Sequence, residues 1–159
     1  MKRRLSDVFQ RHETVRPTAM RAVAEQRFGD AQALRKTGQN ERANGAVYLG
    51  GFVIEILLKT QLLEKPGMGR RTPGGGKNLD RIRQLIWSGH DLPGILDELP
   101  ELEIALEEKG RRDGRDYVGH LKGICETWTI QARYSSRKID MNEASKFLDR
   151  VAELKEVLK

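Results

Sequence analysis

A chain of 159 residues with 33% charged and 6% aromatic side chains is long enough to bury a core and suits one domain of ordinary size. The net charge of +6 and a pI near 9.6 favour an acidic partner. The single Cys125 excludes an intrachain disulfide framework, and no paired Cys/His spacing points to zinc, so no cofactor is expected.

Residues 1–16 are polar and basic, with Leu5, Val8 and Phe9 as a weak apolar face, and read as an N-terminal extension holding a short helix that ends near Pro17. No apolar signal segment follows this basic start, so a reducing, cytoplasmic setting is expected. From Thr18, a plausible cap, Met20, Val23, Ala24, Phe28, Ala31 and Leu34 recur at helical spacing up to Gly38. The short Gln39–Asn40 connection favours antiparallel packing on the next helix.

That next stretch, Glu41–Glu64, is the one the rest packs around. Its apolar residues, among them Val47, Phe52, Val53, Ile54, Leu57, Leu58 and Leu62, cover most of a helix circumference, as in a helix with neighbours on several sides. Gly45, Gly50 and Gly51 each cost about 1 kcal/mol relative to Ala, so their presence predicts close approach by another element. Glu55 and Lys59, four apart, read as a structural ion pair on one ridge with Tyr48 and Phe52, whose rings are expected to pack. The pair and the adjacent glycines argue against a membrane span.

Residues 65–77 carry two prolines and five glycines and read as a flexible basic loop without regular structure. It is not a phosphate loop, because Asn78 follows Gly76–Lys77 and Arg71 stands where the first glycine belongs. Its Arg70 and Arg71 belong either to a solvated linker or to a basic arm touching a nucleic-acid backbone. Asn78 is a candidate cap for a short helix with Leu79, Ile82, Leu85 and Ile86, closed by Gly89. Asp91 caps another helix with Pro93 in its first turn, and Pro100 splits it from a continuation reaching Lys109. Gly110–Gly114 reads as a charged turn. Tyr117, Val118, Leu121, Ile124, Cys125 and Trp128 then recur at helical spacing through about Ala132, with Cys125 a buried, inert thiol. Asp140 and Glu143 resemble a capping box before a last helix bearing Phe147, Leu148, Val151 and Leu154. No repeat, coiled-coil heptad run or strand is evident, and the fold class is all-α.

The text GAVYLGGFVIEILLK, with Gly45, Ala46, Tyr48, Gly51, Glu55, Leu58 and Lys59, resembles the second-helix signature of the HEPN domain. GHDLPGILDEL at 89–99 and ARYSSRKIDMNEASKFLDRVAEL at 132–154 agree with it in order, so the resemblance covers roughly residues 25–158. It implies an up-and-down bundle of four to five helices, commonly a homodimer, within the single helical domain over 1–159 that the length suits. It further implies dealings with RNA or nucleotides, often beside a minimal nucleotidyltransferase partner in toxin–antitoxin pairs.

Many proteins of that family are metal-independent ribonucleases that use an Arg, then four to six residues, then a His. A guanidinium steadies the scissile phosphate and an imidazole moves a proton near neutral pH. Here Arg133–Tyr134 best matches the motif position, yet none of the three histidines, His12, His90 and His120, follows it. Arg115 and His120, with four residues between them, meet the bare spacing, as do Arg83 and His90 with six. Arg133, Tyr134, Arg137 and Lys138 form a compact group that is either a solvated helix end or a phosphate-binding site. The missing His favours a non-catalytic module binding RNA, a nucleotide or a partner. The alternatives are an endoribonuclease toxin using Arg115 and His120, and a purely structural helical protein.

Overall fold

The computed structural model describes residues 16–66, 76–87, 89–128 and 137–159. Among them every regular element is helical: α1 (Pro17–Lys36), a 3-10 turn (Asn40–Arg42), α2 (Ala43–Glu64), α3 (Gly76–Trp87), α4 (Leu92–Asp97), α5 (Pro100–Asp113), α6 (Tyr117–Thr127) and α7 (Met141–Val157). The short helix expected before Pro17, the basic arm with Arg70 and Arg71, and the Arg133–Tyr134 pair lie outside the described residues.

Helix α2 is the axis of the fold. Ala46, Val53, Ile54, Leu57, Leu58 and Leu62 are fully buried and point to more than one side, so no single stripe accounts for the burial. Asn40–Glu64 has the length and apolarity to cross a membrane, but 61% of its most apolar window is buried against the other helices. Helix α1 packs antiparallel along it. Arg21, at the start of α1, donates to Glu64, at the end of α2, at 2.8 Å. At the opposite end Leu34 lies 3.2 Å from where a Cβ on Gly45 would stand.

Helix α7 runs parallel to α2 on another flank. Ala144 packs with Ala43 at one end, and Gln61 donates to the Leu158 carbonyl at 2.9 Å at the other. Gly50 is the point of closest approach, since a Cβ there would lie 2.6 Å from Leu148. Two ion pairs join α7 to α1: Arg35 with Asp149 at 2.7 Å, and Lys155 with Glu25 at 2.8 Å. Lys155 is itself buried, with its ammonium 5.1 Å from the centre of the Phe28 ring. The remaining side of α2 is covered by α3 and α4, and α6 packs against α4, α5 and α7.

Local chemistry sets the helix ends. Asp91 accepts from the Gly94 amide at 3.0 Å, Asp116 from Gly119 at 2.8 Å and Asp140 from Glu143 at 2.8 Å. Pro100 occupies the first position of α5 and separates it from α4, so the helices outnumber the four or five of the expected bundle.

Several boundaries differ from the sequence expectation. Thr18 is not the cap of α1. Pro17, which needs no amide partner, takes the first helical position and leaves Arg16 as N-cap. Gly76 and Lys77 belong to α3 rather than to the loop, and Asn78 lies inside that helix instead of ahead of it. Gly110–Gly114 is not a turn: α5 continues to Asp113, and Gly114 ends it with φ +64°. Gly110 is needed inside the helix, because a Cβ there would stand 2.4 Å from the Arg115 carbonyl. Helix α6 stops at Thr127 rather than near Ala132, and the backbone becomes extended at Trp128. That change of direction lays the indole on Gly51, where an added Cβ would lie 2.0 Å from the ring nitrogen.

Candidate functional site

Three groups of side chains gather most of the described residues that the sequence singles out. The first is centred on Glu153 of α7. Arg115 sits in the corner between α5 and α6, its amide bonded to the Gly110 carbonyl at 2.9 Å. Its guanidinium pairs with Glu153 Oε1. His120, in the first turn of α6, places Nδ1 3.5 Å from Glu153 Oε2. That distance is too long for a well-formed hydrogen bond, and both atoms are shielded from solvent with no other partner. Arg115 and His120 therefore do come together, through a carboxylate that sequence spacing gave no sign of. Glu153 holds the guanidinium that a scissile phosphate would need, so an anion must displace it to reach Arg115.

The second group is buried. Lys59 Nζ donates to Glu55 Oε1 at 2.6 Å and to the Gly89 carbonyl at 2.8 Å. The two side chains are 10% and 3% exposed. His90 Nδ1 stands 3.0 Å from each oxygen of Glu55, and the ring packs edge-on to Phe52 with centroids 5.9 Å apart. His90 therefore ties the turn before Asp91 to the core helix. Arg83, its partner by spacing, is turned away into solvent and lies 3.8 Å from Asp80. Tyr48, Phe52 and Trp128 form an adjoining edge-to-face aromatic cluster, with Tyr48–Phe52 at 5.0 Å and Phe52–Trp128 at 5.5 Å. These rings are packed together rather than offered as separate faces.

The third group lies where the chain enters α7. Asn44 donates to the Arg137 carbonyl at 2.8 Å and accepts from the Ile139 amide at 3.2 Å. Asn40 accepts from the Met141 amide at 2.8 Å. Residues 137–141 are thereby fastened to the 3-10 turn and to the first turn of α2, and Arg42, Arg137 and Lys138 stand exposed at this corner. The N-termini of α2 and α7, each the positive end of a helix dipole, meet there as well. Sequence reading picked out Arg137 and Lys138 but missed the two asparagines that hold them.

Among the described residues no three His, Cys, Asp or Glu side chains converge as a metal site. Cys125 is buried, which pushes its thiol up to about 12, and Glu126 and Glu103 add to the effect. No family model, curated protein or solved structure matches this chain.

Proposed function

We propose that this chain is a HEPN-like helical module that binds single-stranded RNA or a nucleotide without cleaving it. In this reading α1, α2, α7 and the α5–α6 pair make up the four-to-five-helix bundle. The module acts as a cytoplasmic homodimer beside a minimal nucleotidyltransferase in a toxin–antitoxin pair. The family reading rests on the resemblance of GAVYLGGFVIEILLK and the two later segments. The observation that carries the binding role is the corner held by Asn40 and Asn44, with Arg42, Arg137 and Lys138 beside two helix N-termini. Exposed cations beside the positive ends of two helix dipoles suit a phosphate. The occupation of Arg115 by Glu153 supports the absence of cleavage.

Filter binding of single-stranded RNA over a salt series tests this. Affinity is expected to fall linearly on a log–log plot, with a slope of about 0.7 per phosphate contact. Replacing Arg137 and Lys138 by Ala lowers that slope. Binding that ignores both salt and these substitutions overturns the role given to the corner.

A metal-independent endoribonuclease is the second reading, favoured by the convergence of Arg115 and His120 on Glu153. A modest shift of Glu153 would let it orient the imidazole, leaving Nε2 to move a proton. RNA cleavage in the presence of a chelator, abolished by His120→Ala, supports this reading. Intact RNA removes it.

A further inference from the structure

Trp87, the last residue of α3, is 62% exposed, whereas the chain's other tryptophan, Trp128, is 3% exposed. Leaving an indole in water forgoes the largest apolar burial any side chain offers. The surroundings of Trp87 narrow what could use it. Ile82, Leu85 and Ile86 turn inward, and helical spacing puts Trp87 on the opposite face with Asp80, Arg83 and Gln84. That ridge holds no second apolar residue. Among the described residues the other exposed large apolar ones, Val23 and Ile104, belong to α1 and α5. A protein–protein interface centres on several apolar side chains packed dry together, and such a cluster is absent here among the described residues. A flat aromatic face with a cation one turn away is the pattern that receives a nucleobase and its phosphate. Arg83 is that cation. Among the described residues its ion-pair partner is Asp80, 3.8 Å away, with the two side chains 64% and 78% exposed, so the pair is loose and screened by water.

We infer that Trp87 is a stacking platform for an unpaired base of single-stranded RNA, with Arg83 on the adjoining phosphate. The inference rests on the RNA-binding reading above and names a contact within it. Bases locked in a duplex cannot reach the ring, so the platform selects single strands.

The test uses the full chain and titrates it with a uridine oligonucleotide while following tryptophan emission and, in parallel, RNA retained on filters. Trp87 emission should be quenched in step with the bound fraction. The quenching should vanish in Trp87→Leu, because Trp128 is buried. Trp87→Ala should weaken retention roughly tenfold and Trp87→Tyr should restore most of it. Duplex RNA should leave the emission unchanged. Retention without quenching, or with Trp87→Ala binding as tightly as the parent, overturns the platform and leaves RNA binding standing. No retention at low salt overturns both. A fall in molar mass by light scattering in Trp87→Ala, with RNA affinity unchanged, assigns the indole to a second copy of the chain and overturns the platform too.

Discussion

His90 Nδ1 lies equally close, at 3.0 Å, to both oxygens of Glu55, a carboxylate already engaged by Lys59. One buried acid thus joins the core helix to the turn that launches α4, with Lys59 adding a bond to the Gly89 carbonyl. Removing either charge strands the other in an apolar interior. Glu55→Gln should therefore cost about 3–5 kcal/mol of stability, and replacing Glu55 and Lys59 together by Met should recover most of the loss. Urea midpoints of the two variants measure this. A double variant no better than the single one contradicts it.

The close approaches at Gly50 and Gly51 give a second expectation. An added methyl at Gly51 meets the buried Trp128 indole, and one at Gly50 meets Leu148. Overpacking of this kind costs about 1–3 kcal/mol, and the better helix propensity of Ala returns only about 1 kcal/mol. Gly51→Ala, the tighter of the two, should lower the melting temperature, whereas Gly123→Ala, with nothing within 4 Å of its Cβ, should raise it. Equal shifts in the two variants would refute the packing described for Trp128.

Burial makes the Cys125 thiol hard to ionise, so its ionisation is pushed up to about 12. The folded chain should be inert to a thiol reagent at about pH 8, and one thiol should react on unfolding in urea. Rapid labelling of the native chain would mean that α6 is open where it is described as packed.

Lys155, with Lys159, holds the Glu25 carboxyl below its ordinary value of 4.5. Near that value the folded chain binds fewer protons than the unfolded one, so stability rises with pH. The contribution is complete above 4.5 and is lost as pH falls through the lowered folded value. Glu25→Gln should flatten the melting temperature against pH between about pH 5 and 3. The effect is small, because Glu25 is half exposed. An unchanged acid limb contradicts it.

What could be read from the sequence was what neighbours in the chain decide. The apolar run of α2, the Asp91 and Asp140 caps and the helix break at Pro100 each depend on residues within a turn or two of one another. Gly110 misled, because a glycine between charged residues reads as a stop. Its missing side chain instead makes room for the Arg115 backbone folding back on α5. Trp128 misled for the converse reason: it continues the helical spacing of α6 after the backbone has left the helix. Within the candidate sites, the Glu55–Lys59 spacing was local. Glu153, Asn40 and Asn44 reach partners 33 to 101 residues away, a relation that no local pattern carries.

The proposed role of this chain is to hold RNA and leave it whole. Labelled single-stranded RNA incubated with the protein and a chelator, then split between a native and a denaturing gel, tests both halves in one sample. The account predicts a retarded band on the native gel that dissolves with added salt, and full-length RNA on the denaturing gel. Fragments that disappear in His120→Ala, or no retarded band even at low salt, would contradict it.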